Sequence, residues 1–235
     1  MRNYLIYDGV SSEEFGAYVS SSNFLDGASR DVTMIQVPGK NGAFVQDNNR
    51  FNNFALVEKL YIIEDIFDNA HSLRGFLAGH SHGYFTLEES LTPEIFRMAR
   101  FAGSFAVEVF DNLSGAFPIE FDCKPQRFLK TGTVEQTITS GTSIYNPTHF
   151  DARPLIRIYG NGTVTIGTQT VTVAGNTNSY VDVDCEAMDC FYGSTNLNSK
   201  VTLSGHEFPV LKEGANMITF TDISSVKITP RWWTI

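Results

Sequence analysis

Leu155-Ile156-Arg157-Ile158-Tyr159-Gly160-Asn161-Gly162-Thr163-Val164-Thr165-Ile166-Gly167-Thr168-Gln169-Thr170-Val171-Thr172-Val173 is the stretch whose reading decides the fold. Apolar and polar residues alternate along it, the period of strands with one buried face. The reading is a meander of Leu155 to Tyr159, Thr163 to Ile166, Gln169 to Val173 and, further on, Ser179 to Val183. Gly160-Asn161-Gly162 reads as a tight turn between the first two strands, and Ile166-Gly167-Thr168-Gln169 as the next. Close strand spacing with turn signals predicts a small β-sandwich.

Upstream the strand signal continues, in Val32 to Val37, Phe54 to Ile63, Phe105 to Phe110 and Ile119 to Phe121. Nineteen phenylalanines suit a β-rich core, because aromatic rings pack well on a pleated surface. One segment reads as a helix. Ile66, Ala70, Leu73 and Leu77 fall on one helical face, with Asp65 placed to cap the start and Gly79 to end it. Phenylalanine thins out after about residue 130, where Thr, Asn, Gly and Val take over. The expectation is a mainly β chain of two domains, residues 1–132 and 133–235.

The chain has 235 residues, and 17 basic against 26 acidic side chains give it a net charge of −9. That balance argues against a sequence-independent DNA binder held by phosphate contacts. No apolar run approaches membrane-span length, and the N-terminal residues lack the pattern of a secretion signal. Cys123, Cys185 and Cys190 are too few and oddly numbered for a disulfide framework, so they read as buried thiols. His80 and His82 form a His-x-His pair flanked by glycines, which reads as a loop and not a metal site. Asp182, Asp184 and Glu186 alternate and predict a half-buried strand with a wet acidic face. Glu64, Asp65 and Asp68 read as helix-start acids. At the C-terminal end, one of Trp232 and Trp233 should enter the core and the other face outward beside Arg231, where it could stack on a sugar or meet a partner. The sequons at Asn112 and Asn161 have no meaning without export. No phosphate loop, nucleophile elbow or zinc motif is present, so neither a cofactor nor catalysis is expected.

An ordered set of weaker motifs resembles the distal tail protein (Dit) family of long-tailed, non-contractile bacteriophages. The set begins with Tyr4 to Val10 and Phe15 to Val19, then the turn Val37-Pro38-Gly39-Lys40-Asn41-Gly42. His71 to Leu77, Tyr84 to Leu87 and Phe121 to Pro125 follow. In the second half the order is kept by Asn146-Pro147, Ala152 to Ile156, Gly160 to Gly162, Gly205 to Pro209, Gly214 to Asn216 and Pro230 to Trp233.

The resemblance implies an N-terminal tail-tube-like β-sandwich or split barrel with one helix, followed by a galectin-like β-sandwich. It also implies a homo-hexameric ring, or two stacked rings, at the tail tip of a virion assembled in the host cytoplasm. Its partners would be the major tail protein, a tail-associated hub protein and a receptor-binding protein, with DNA passing through the lumen without specific binding. The chain shows no inserted carbohydrate-binding module. Pro38, Gly39, Lys40, Asn41 and Gly42, with Arg231 and Trp233, are the candidate interface residues. The competing readings are a carbohydrate-binding adhesin using Trp232 or Trp233 with Asp182 and Asp184, and a hydrolase using paired carboxylates.

Overall fold

A computed structural model of the chain describes every residue except 1, 104 and 111–113. The sequon at Asn112 lies outside the described residues. The chain divides into two compact units, residues 1–127 with residue 235, and residues 128–234. The expected boundary at 132/133 lies five residues later. No loop marks the division, because a single strand, Ser114–Leu129, runs through it.

The first unit holds β1 (Leu5–Tyr7), β2 (Val10–Ser11), β3 (Ala17–Ser21), β4 (Arg30–Gln36), β5 (Ala43–Phe51) and β6 (Phe54–Ile62). Helix α1 (Ile66–Gly79) follows, then β7 (Phe85–Glu89), β8 (Ile95–Phe101), β9 (Glu108–Phe110) and β10 (Ser114–Leu129). Antiparallel pairing orders the main sheet β2-β1-β7-β8-β10-β6-β3, and the Asn3–Val19 bridge ties the segment before β1 to β3, so the sheet curls back on itself. β4 and β5 stand outside it as a separate two-stranded sheet. Phe101, Phe105, Phe117 and Phe121 fill the core, with Phe105 stacked on Phe117 at 4.6 Å.

The helix buries the face that the periodicity gives, Ile66, Ala70, Leu73 and Leu77. Its start differs from the expectation. Asp65 takes φ +44° and makes no side-chain cap bond. Asn69, one turn on, instead donates from Nδ2 to the Glu64 carbonyl at 2.8 Å. No helix among the described residues is long and apolar enough to cross a membrane.

The second unit holds β11 (Gln136–Ile138), β12 (Thr142–Asn146), β13 (Leu155–Ile166), β14 (Gln169–Val173), β15 (Val181–Asp184) and β16 (Asp189–Tyr192). β17 (Thr195–Asn196), β18 (Val201–Leu203), β19 (Gly214–Thr229) and β20 (Trp233–Thr234) complete it. Gly160-Asn161-Gly162 is not a turn between strands. It is a bulge inside the single strand β13, opposite an irregularity in β19. Before the bulge β13 pairs with β15, and after it with β14; β19 likewise changes partner from β12 to β11. The bend lets one pair of long strands serve two layers, whose inward residues Ile156, Ile158, Val164, Ile166, Ile218, Val226 and Ile228 form one core. Gly162 is required there: a Cβ would lie 2.3 Å from the Thr221 carbonyl oxygen. The Gly167-Thr168 turn is as read, joining Ile166 to its partner Gln169.

Gly162→Ala should therefore separate the two long strands at the bend and lower the stability of the second unit by about 2 kcal/mol or more. Urea titration read by tryptophan fluorescence checks this. An unchanged midpoint would mean that the strands close over the added methyl.

Candidate assembly interface

The turn Pro38-Gly39-Lys40-Asn41-Gly42 sits at the tip of a projecting hairpin formed by β4 and β5. The register pairs Val32 with Asp47, Thr33 with Gln46, Met34 with Val45, Ile35 with Phe44 and Gln36 with Ala43. Paired residues share a face and neighbours alternate. One face therefore carries Val32, Met34, Ala43 and Val45, and the other Ile35 and Phe44 with Thr33 and Gln46. Both faces are open: Met34 and Val45 are each 60% exposed and Phe44 is 49% exposed. A strand with one buried face hides its apolar parity, but here neither parity is hidden. At the tip, Lys40 donates its N–H to the Val37 carbonyl at 3.2 Å, and its ammonium lies 3.8 Å above the Phe44 ring.

The base of this arm is polar. Arg30 binds both oxygens of Asp47, with a shortest contact of 2.6 Å, and Arg50 meets Asp31 at 2.6 Å. These guanidiniums hold the two carboxyls below their ordinary range. Exposed pairs of this kind fix register more than they stabilise.

Behind the base, residues 22–27 rest on charges inside the first unit. Arg97, fully buried on β8, donates from Nη2 to the carbonyls of Phe24 at 2.8 Å and Asp26 at 2.7 Å. Its guanidinium lies 5.3 Å from the Phe24 ring centroid and 4.9 Å from that of Phe54. Arg127 donates to the carbonyls of Leu25 and Asp26. Glu58, fully buried on β6, accepts from the Asn23 N–H at 3.2 Å and the Ser22 hydroxyl at 3.4 Å. Glu58 Oε2, Glu89 Oε1 and Arg97 Nε and Nη1 have no partner among the described residues. Burial, then the Glu89 charge, pushes the Glu58 carboxyl up from 4.5 to about 7. Glu89 is raised as well, chiefly by burial, and burial lowers Arg97 to about 10.

The other singled-out residues are engaged within their own units. Trp232 is buried, as one of the two tryptophans should be. Trp233 is half-buried, stacks on Phe150 at 4.4 Å and donates Nε1–H to the Asp151 carbonyl at 3.0 Å. Arg231 forms a paired bond with Asp184, at 2.7 and 2.8 Å. The expected wet acidic face is corrected. Asp182 is buried and takes two bonds from Arg157, at 2.7 and 2.8 Å, and the strand ends before exposed Glu186. His80 packs among Tyr7, Phe76 and Phe85. The three cysteines are buried thiols, their pKa values raised mainly by burial.

Sequence reading selected the tip of the arm and missed its sides. The signal was present: Val32-Thr33-Met34-Ile35-Gln36-Val37 places apolar residues at both parities.

No family model and no curated protein matches the chain. The likeness is to solved structures. The chain has the fold of the SPP1 phage Dit protein, described as a paradigm of the hub adsorption apparatus in phages that infect Gram-positive hosts. The match covers all of both chains with a TM-score of 0.79 at 14% identity. The chain is also similar to a component of the phage P2 baseplate in its activated conformation with calcium, over 97% of both chains, with a TM-score of 0.56 at 12% identity. The strontium form gives 0.52 at 12% identity and the same coverage.

The Glu58 seat has a pH signature. The folded chain keeps this proton up to about pH 7, whereas the unfolded chain releases it near its ordinary value of 4.5. Ionisation in the folded state is thus unfavourable, so its cost is absent below 4.5, grows as pH rises and is complete above about 7. At 1.36 kcal/mol per unit the effect is at most about 3 kcal/mol. Denaturation midpoints should fall as pH rises across this window. Glu58→Gln should flatten the fall, leaving a residue from Glu89. A variant with the full slope of the parent would remove Glu58 as its source.

Proposed function

We propose that this chain is a structural component of a siphophage tail tip, a distal tail protein rather than an enzyme. The observation that carries the reading is the full-length likeness to the SPP1 Dit fold. The finer reading is a homo-hexameric ring, single or stacked in pairs, between the tail tube and the hub and receptor-binding proteins, with a lumen through which DNA passes.

The arm supports this reading. A two-stranded hairpin is at best marginally stable alone in water, and apolar residues on both its faces are an aggregation hazard. A neighbouring subunit in a closed ring would cover those faces without leaving a free copy of the interface. Pro38 to Gly42 would then form its leading end. Arg231 and Trp233 remain a second proposed contact, through whatever surface their bonds within the unit leave open. Six copies carry 6 × (−9) = −54 formal charges. An acidic lumen would repel phosphate and let DNA slide without sticking.

The adhesin reading gains no support from its residues: Asp182 and Asp184 are each bound to an arginine, and Trp233 is stacked on Phe150.

Light scattering over a concentration series should give six or twelve times the 26.1 kDa chain mass. The double variant Met34→Lys/Val45→Glu keeps an attractive cross-strand pair and removes one apolar face. It should leave folding unchanged and reduce the mass to one subunit. A parent that stays monomeric even when co-expressed with tube and hub proteins would overturn the ring. A variant that still forms it would show that the Met34–Val45 face of the arm is not the contact.

A further inference from the structure

The sequence contains two Asn-Gly pairs, Asn41-Gly42 and Asn161-Gly162. Both asparagines are exposed, yet their surroundings are opposite. Asn161 is held at both ends of its amide. Nδ2 donates to the Asn176 carbonyl at 3.0 Å, and Oδ1 accepts from the Asn176 N–H at 2.8 Å. The pair also lies inside β13, with Gly162 tight against the Thr221 carbonyl. Asn41 has neither restraint. It lies between the end of β4 at Gln36 and the start of β5 at Ala43. Among the described residues no hydrogen bond engages its side-chain amide or the Gly42 N–H. Gly42 has φ +81°, and a Cβ added there would meet nothing within 4 Å.

An unclamped Asn-Gly pair holds an electrophile and a nucleophile in one dipeptide. Glycine has no side chain to obstruct its own nitrogen, and its backbone moves freely. We propose that Asn41 is a site of spontaneous deamidation in the free chain, with water as co-reactant, and that Asn161 is protected. The Gly42 nitrogen gives up its proton to hydroxide and bonds to Asn41 Cγ. The Cγ–Nδ2 bond breaks, and ammonia leaves with a proton from solvent. Water then opens the cyclic imide at either carbonyl, yielding aspartate or β-linked isoaspartate. No electrons are transferred.

Each product places one negative charge at the arm tip. Isoaspartate also adds a methylene to the turn backbone. The new carboxylate lies next in sequence to Lys40 and competes with the Phe44 ring for its ammonium. One consequence rests on the assembly reading above: the reaction becomes a clock. Subunits whose arms stay uncovered accumulate charge at the tip, while covered arms are spared.

The test incubates the purified full-length chain at mildly alkaline pH and follows both peptides by mass spectrometry, with isoaspartyl methyltransferase labelling. The Asn41 peptide should gain one mass unit and become labelled, with isoaspartate the main product. The Asn161 peptide should keep its amide. In urea both should convert at similar rates, which confirms that structure makes the difference. Asn41→Gln should lose the arm label while retaining the parent fold. Folded-state conversion at Asn41 no faster than at Asn161 would overturn the proposal. A separate arm compares assembled with free chain. Slower Asn41 conversion in the assembly supports the clock, and equal conversion overturns the covering of the arm without touching the free-chain result.

Discussion

The hold of Arg97 on the carbonyls of Phe24 and Asp26 sets where the arm begins. A fully buried guanidinium is costly unless its donors are matched, and among the described residues only Nη2 is matched. Flanking rings and the attraction of Glu58 and Asp26 offset part of that cost. The result is a firm seat for residues 22–27, from which β4 departs within a few residues. The other side of the hairpin is anchored separately, because two residues separate β5 from β6 of the main sheet and the Asn52 N–H donates to the Ser29 carbonyl at 2.9 Å. The region of the seat also holds two carboxyls with unpaired oxygens. The seat is therefore both well located and sensitive to protons, a combination that follows from placing charge where only one segment of backbone can answer it.

The two units solve the problem of burying strands differently. The first curls one sheet until its ends meet at the Asn3–Val19 bridge and covers its core with the apolar stripe of α1. The second bends two long strands at a glycine bulge, so each contributes to both layers. In the second unit the shape comes from a local irregularity and not from strand composition. Composition alone would permit flat strands. The close passage of Gly162 to Thr221 does not permit them.

This difference explains what the sequence disclosed. Alternation and the face of α1 were legible because burial imposes a period, and Ile66, Ala70, Leu73 and Leu77 follow it strictly. Gly160-Asn161-Gly162 was misread because a bulge and a hairpin turn use the same residues, and only the partner strand tells them apart. Asp182 and Asp184 alternate as a wet face would. Each is covered by an arginine, Arg157 from the adjoining strand and Arg231 from near the chain's end, pairings that no local pattern announces. The arm tip stood out because turn residues are distinctive. Its sides did not, because the rule that strands hide one parity gives no account of a strand that hides neither.

That exception is the strongest argument for an assembly. Met34 and Val45 on one face, and Ile35 and Phe44 on the other, would destabilise a solitary protein through aggregation without stabilising its fold. The charges are gathered at the base, in the Arg30–Asp47 and Asp31–Arg50 pairs, and at the tip in Lys40, leaving the middle apolar. Such an order suits a hairpin whose middle is gripped from both sides. A flat contact would need only one apolar face. Two apolar faces call for a cleft or two neighbours, and successive subunits of the proposed closed ring would supply either without an unsatisfied end.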